Sequence, residues 1–330
     1  MNTPLVTICI PTYRRFEYLT EAVASAQAQT YPHVEIVIGD DGDRAEIAHW
    51  SRQCAQSDLR VRYQKNGSRL GLAGNWNAVS QAAKGDFLAI IGDDDRLLPD
   101  FVARLMAART AQSKVLFANH WLIDSAGHRL PEKTEIHNRI YGRETLPAGP
   151  LLDPVACVWS NSIPMSASLV HAQEVKTRGF RPDLNTPEIE LFANMVAGGA
   201  EFVFVPDLLA EYRTHDGSAS AAGLMSERLV KYLEPIEVPA KTEHVKRDFM
   251  QRLVLASVSR CLAEGRVEQA RALLRSRYYP PLARSPLRVL AQRTSVRLPA
   301  ALSKSVYEAG VRSVRGVRHV VARALSGGRR

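Results

Sequence analysis

Short apolar runs alternate with amphipathic stretches along the first third of the chain, and that alternation predicts strands interleaved with helices. Leu5–Ile10 is apolar and β-branched and stops at Pro11, which marks a first strand. Leu19, Ala22, Val23 and Ala26 repeat at helical spacing until Tyr31-Pro32-His33 ends the pattern. Val34–Ile38 reads as a second buried strand, Ala45–Ala55 as a second helix and Val61–Tyr63 as a third strand. Asn66–Gly74 is a glycine-punctuated loop before a helix carrying Trp76, Val79, Ala82 and Ala83. Phe87–Ile91 is an uninterrupted apolar run that suits a strand buried on both faces. After Gly92 come Asp93, Asp94 and Asp95, then a helix opening on Pro99 with Phe101, Val102, Leu105 and Met106 on one face. The expected fold is α/β, a Rossmann-like, mostly parallel sheet flanked by helices.

In such a sheet the carboxyl ends of the strands converge on one cleft, which places Tyr13, Asp41 and Asp93–Asp95 together. Three adjacent carboxylates repel one another, and a divalent cation offsets that repulsion; the plainer alternative is a solvated acidic turn before a helix. The first loop has no G-x-G-x-x-G and the chain no G-x-x-x-x-G-K-[ST], which argues against dinucleotide cofactors and P-loop chemistry. Ile10-Pro11-Thr12-Tyr13 offers an aromatic face and a hydroxyl instead, suited to a stacked base or to simple packing.

Composition changes this picture little: 330 residues, 45% hydrophobic and 23% charged, describe an ordinary globular chain. Cys9, Cys54, Cys157 and Cys261 are scattered, with neither zinc-like spacing nor a disulfide framework. No apolar run is long enough for a bilayer and no secretory signal is visible, so a cytoplasmic location is expected. Charge does change the picture. From Pro281 onward eleven basic residues face one acid, Glu308, so the net charge of +9 belongs to the C-terminal stretch.

Four segments, Val6–Arg15 (VTICIPTYRR), Gln27–Gly42, Asn66–Asn77 and Gly85–Pro99, resemble in order and spacing the family 2 glycosyltransferases. Further matches are Ser166–Val170 with Gly179-Phe180, Glu188–Phe192, and Tyr212-Arg213-Thr214-His215 followed by Ser218-Ala219-Ser220, so the resemblance covers roughly Leu5–Ser220. It implies a GT-A fold over residues 1–222, with 223–330 a helical basic extension. It also implies an inverting transfer from a nucleotide-diphosphate sugar to an acceptor hydroxyl, dependent on Mg²⁺ or Mn²⁺. A sugar nucleotidyltransferase and a non-catalytic nucleotide- or glycan-binding module are the alternatives.

The same resemblance assigns roles. Pro11, Thr12 and Tyr13 surround the base, and Asp41, or its neighbour Asp40, reads the base edge, which favours UDP or dTDP. Asp93 lies near the ribose and metal, and Asp94 is the expected metal ligand, with Asp93-x-Asp95 as the D-x-D pair also compatible. Asp95 is a further candidate ligand or an acceptor-positioning group, and His215 an added ligand or diphosphate contact. Gly92 stands where the common pattern has its first aspartate, and Trp76-Asn77 where many members have Arg-Asn. Arg15, Arg69 or Arg213 then substitute as the phosphate contact. Glu188, just after Thr186-Pro187, is the expected general base, with Glu190 in reserve. Trp121, Trp159 and Asn161, in an irregular stretch from His120 to Ile163, are candidates for an acceptor site.

Beyond Met225 the sequence predicts helices over Asp248–Ala263 and Val267–Leu274. A final amphipathic helix is expected with Val306, Val314, Val317 and Val321 on one side and Arg312, Arg315, Arg318 and Arg323 flanking them. Such a helix suits an anionic membrane surface, and with it a lipid-linked or glycan acceptor; a role in nucleic-acid binding is the weaker reading.

Overall fold

All seven residues of strand β1 (Val6–Thr12) and all seven of β2 (Val34–Asp40) are buried, which their continuous apolar runs require. The computed structural model describes residues 3–215, 227–299 and 301–309. The chain divides into two units, Met1–Leu224 with Ile236–Thr242, and Met225–Pro235 with Glu243–Arg330.

The first unit is built on one sheet. Besides β1 and β2 its strands are β3 (Val61–Lys65), β4 (Phe87–Ile90), β5 (Arg96–Leu97), β6 (Ser113–Ile123), β7 (Gly149–Pro150), β8 (Ser168–His171) and β9 (Glu201–Arg213). Their order is β3-β2-β1-β4-β8-β6-β9-β5, with β7 added on β9. Pairing is parallel from β3 through β4 and again between β6 and β9. It is antiparallel on both sides of β8 and where β5 and β7 meet β9. The expected open α/β sheet is therefore present, parallel in its first half and mixed in its second.

Pro11 lies inside β1 rather than ending it. Odd-numbered residues of β1 bond toward β4, as in Ile91 N to Cys9 O, and β4 stops at Ile90. The pairing of β1 with β4 ends at Cys9, so the N–H that Pro11 lacks falls beyond that ladder, and the strand runs on to Thr12 against β2. Helix α1 (Phe16–Gln27) buries the four residues expected, Leu19, Ala22, Val23 and Ala26. After α2 (Ala45–Ser57), helix α3 (Gly71–Ala82) starts earlier than the sequence suggests, taking in Gly71–Gly74. It seats directly on Gly39 of β2, where a Cβ would stand 2.2 Å from Val79 Cγ1. The helix named from Pro99 begins instead at Phe101 (α4, Phe101–Ala107), because Arg96 and Leu97 first form β5 against β9. The irregular stretch after β6 holds α5 (Pro131–Ile140) and α6 (Pro154–Trp159), followed by α7 (Ala172–Arg178) and α8 (Pro187–Ala197).

Asn77 shows what stands in place of the expected arginine-asparagine pair. Its Nδ2 donates to Phe180 O at 2.8 Å and its Oδ1 accepts from Phe180 N at 2.7 Å. Trp76 meets the Phe180 ring edge-on with centroids 5.1 Å apart. Together they pin the Gly179 turn, and the chain leading to α8, onto α3. Asn77→Ala should leave both backbone groups of the buried Phe180 unpaired at a cost of about 2–4 kcal/mol. The check is a lowered urea midpoint at unchanged m-value.

In the second unit, α9 (Glu227–Leu233), α10 (Glu243–Ala263), α11 (Val267–Leu273) and α12 (Pro286–Ser295) are followed by a helical stretch over 301–309. That stretch buries Tyr307 and leaves Val306 40% exposed, so its buried side is not the one the valine spacing predicts. Residues 310–330, with Arg312, Arg315, Arg318 and Arg323, lie outside the described residues, as do Ser218–Ser220. No helix among the described residues is long and apolar enough to cross a membrane.

Candidate active site

The carboxyl ends of β1, β2 and β4, the start of α3, the start of α8 and the strand β6 surround one cavity of about 540 Å³. Pro11, Thr12, Tyr13, Arg15, Asp41, Asp93, Asp94, Asp95 and Glu188 all line it.

Within the aspartate turn the three carboxylates have separate partners. Asp93 accepts from Thr12 Oγ1 at 2.8 Å, Tyr13 N at 3.1 Å and Arg15 Nη1 at 3.2 Å, which ties β4 to the loop after β1. Asp94 receives Arg15 Nη1 at 2.6 Å, and His215 Nε2 lies 2.9 Å from its Oδ2. Asp95 turns to the Arg213 backbone N–H at 3.0 Å and to Ser166. Burial first, and the Asp94 charge second, push Asp93 up to about 6 and Asp95 up to about 8. Gly92 now has a reason: a Cβ there would sit 2.4 Å from Asp94 Oδ1, so the Asp94 carboxylate fills the space a side chain would need.

Asp40 and Asp41 separate cleanly. Asp40 is fully buried and bonds Tyr63 Oη and Gly42 N, both at 2.8 Å, away from the cavity. Asp41 lines the cavity and takes Leu70 N at 2.7 Å, Gly71 N at 2.8 Å and Asn66 Nδ2 at 3.0 Å. Those three bonds use three of about four lone-pair positions on the carboxylate. Tyr13 lies under the Arg69 guanidinium, 4.4 Å from its ring centroid.

Two expected substitutes for a phosphate contact remain in reach, Arg15 and Arg69, both on the cavity wall. Arg213 is not one. Its side chain is fully buried, with Nη2 on Glu21 at 2.6 Å and Nε on Asp94 O at 2.8 Å.

Glu188 opens α8 immediately after Pro187. Among the described residues no cation faces its carboxylate, and removal from water, offset only by its own backbone N–H, pushes it up to about 7. Glu190 does not reach the cavity; it is buried against Arg181 Nε at 3.3 Å and Asn194 Nδ2 at 2.8 Å. Trp121 stacks on Arg129 and Trp159 is buried outside the cavity wall, whereas Asn161 is on it, at a φ of +57°.

Sequence reasoning missed the wall formed by His120, His137, Tyr141, Arg143 and Tyr212. The register of β6 against β9 shifts at Ala118, Asn119 and His120, and such bulges re-aim side chains without any signal in the apolar pattern.

A divalent cation is compatible with one part of this site. Adjacent ligands of an octahedral ion at 2.0–2.1 Å stand about 2.9 Å apart, the spacing between Asp94 Oδ2 and His215 Nε2. No group of three or more His, Cys, Asp or Glu side chains converges among the described residues, so the protein supplies few ligands, as suits an ion shared with phosphates.

Residues 7–160 match the model of Glycosyl transferase family 2. The chain is 29% identical over 126 residues to the Campylobacter jejuni GalNAc(5)-diNAcBac-PP-undecaprenol beta-1,3-glucosyltransferase, a match covering 38% of this chain and 40% of that protein. It is 26% identical over 123 residues to the glycosyltransferase GlyG of Streptococcus pneumoniae, covering 37% and 41%. The chain thus spans well under half the length of these curated relatives. Among solved structures, S. aureus TarS 1-349 in complex with UDP-GlcNAc aligns with a TM-score of 0.64 at 16% identity, over 94% of this chain and 92% of that one. The mannosyltransferase PcManGT of Pyrobaculum calidifontis, solved with GDP-Man and Mn²⁺, aligns with a TM-score of 0.54 at 13% identity, over 100% and 82%. These likenesses show a shared fold.

Proposed function

Residues 7–160 belong to glycosyl transferase family 2, and from that membership we propose that this chain transfers a sugar, with inversion, from a nucleotide-diphosphate donor to an acceptor hydroxyl. The observation that carries the reading is Glu188: a carboxylate that no cation faces among the described residues, pushed up to about 7 by burial, in the same cavity as Asp94, whose Oδ2 lies 2.9 Å from His215 Nε2.

In this reading Tyr13 and Asp41 hold the base, with UDP or dTDP favoured because Asp41 keeps acceptor capacity for a ring N–H. Asp93 holds the loop after β1 in place beside the ribose. Asp94 and His215 would hold Mg²⁺ or Mn²⁺, which when bound would neutralise charge on the diphosphate. Asp95, already bonded to Arg213 N, fixes the turn. Arg15 shares the Asp94 carboxylate and would turn toward a phosphate oxygen once a cation takes its place there. The acceptor oxygen attacks the anomeric carbon as the bond to the diphosphate oxygen breaks. Its proton passes to Glu188, and the nucleoside diphosphate leaves with the bonding pair. One attack at one face inverts the anomeric centre.

We assign residues 1–222 to the transferase and the basic stretch beyond Pro281 to an anionic membrane surface. A lipid-linked or envelope-glycan acceptor then fits, as in the name of the Campylobacter relative. The test is release of nucleoside diphosphate from a panel of UDP, dTDP and GDP sugars with and without Mn²⁺. Metal-dependent turnover of a UDP or dTDP sugar is expected. Nucleotide binding without turnover of any donor would make the chain a binding module.

A further inference from the structure

The cavity wall that the sugar-transfer chemistry leaves unused carries a buried cation with no counter-charge. Arg143 is 3% exposed, and among the described residues no carboxylate pairs with it. Its acceptors are all neutral: Asn119 Oδ1 at 3.1 Å, Asn138 Oδ1 at 3.0 Å, Ser162 O at 3.2 Å and His137 Nδ1 at 2.8 Å. Of its five N–H groups, one on Nη1 is left over. Buried charges are ordinarily paired, because taking one out of water unpaired is costly.

Beside it, His120 is 3% exposed, and neither ring nitrogen has a hydrogen-bond partner. Its ring packs 5.1 Å from His137 and 5.7 Å from Tyr212. Burial and the Arg143 charge keep both imidazoles neutral. A neutral imidazole offers one donor and one acceptor, which a hydroxyl matches. His137 gives its Nδ1 lone pair to Arg143, so its proton sits on Nε2 as a further donor. Asn161 holds a left-handed backbone on the same wall, a conformation found where a site over-determines the chain.

We propose that this wall is an acceptor subsite for an oxyanion, a phosphate or carboxylate borne by the acceptor, with Arg143 taking the charge and His120 an adjoining hydroxyl. It rests on the sugar-transfer reading and adds the chemical class of the acceptor. Asp93–Asp95 and Glu188 line the same cavity, so an anionic acceptor is favoured with its charge on Arg143 and turned from those carboxylates. The preference for anions is thereby also a device for orientation.

Calorimetry on the full chain saturated with UDP tests this, since UDP fills the phosphate-binding half first. Glycerol 1-phosphate and methyl glucuronide are titrated against methyl glucoside. At least one anion should bind tenfold or more tighter than the neutral sugar; which one identifies phosphate or uronate as the group recognised. Arg143→Gln should abolish the preference while leaving methyl glucoside unchanged, and Arg143→Lys should restore part of it. Where Arg143→Gln does not fold, His120→Phe keeps the ring, removes both nitrogens and should weaken the anionic probe several-fold. Equal affinity for charged and neutral probes, or a preference that survives Arg143→Gln, overturns the proposal. The UDP titration that precedes these reads the donor assignment separately: no UDP binding counts against that reading and not against the anion subsite, which is then titrated without UDP.

Discussion

Glu188→Gln should lower kcat by about 10²–10⁴-fold, the span typical of removing a general base, while UDP affinity stays unchanged. Glutamine keeps the length and the seat at the start of α8 but cannot accept the acceptor's proton. In the wild type, kcat/KM should rise with pH through about 7, the value to which removal from water pushes this carboxylate, and the residual activity of the variant should be flat across that range. Stability moves the other way. The folded state holds a proton to about 7 that the unfolded chain releases near the ordinary 4.5, so this group costs stability as pH rises across that window, with no further change above it. Glu188→Gln should remove that slope from the thermal midpoint. A variant that keeps more than a tenth of wild-type kcat would exclude Glu188 as the base.

Asp94→Asn comes next in size. Of the three adjacent aspartates only Asp94 meets both Arg15 and His215, so it alone can exchange a protein cation for a metal ion while keeping an imidazole beside it. The variant should lose the extra thermal stabilisation that Mn²⁺ adds to UDP. Its kcat should fall about a thousandfold, matching the several kcal/mol a metal contributes to charge stabilisation. Asp95→Asn should retain the Mn²⁺-dependent shift, because Asp95 is already engaged with the Arg213 backbone. If Asp94→Asn keeps the shift and Asp95→Asn loses it, the ligand assignment is reversed.

Much of the donor half was legible because its signals are local. β1, β2 and β4 are largely apolar runs closed by polar loops, and β1, β2, β3 and β4 pair with one another in parallel register. The boundaries that slipped did so for nameable reasons: Pro11 faces a side where β4 has ended, and Pro99 is held off the helix by β5. Asp40 and Asp41 could not be told apart from sequence because only the tertiary neighbours Tyr63, Asn66 and Leu70 divide their roles. The other wall was illegible. Only Thr134 is buried in α5, so that helix has almost no apolar face to read. His120 points inward through a bulge, and Arg143 is held by amides and carbonyls that no charge pattern reveals.

The placement of β8 also sets the order in which the cleft is made. β4 and β6 are close in sequence but do not pair; β8, about eighty residues after β4, is threaded between them, and β6 finds its other neighbour only at β9. Until those later strands emerge, β6 has no partner and β4 an open side, a template for wrong pairing with another chain. The stretch that carries the family match, 7–160, is thus not a folding unit. Its donor half closes through nearby crossovers, whereas the wall bearing Arg143 waits on distant ones, and pairings of that kind form slowly.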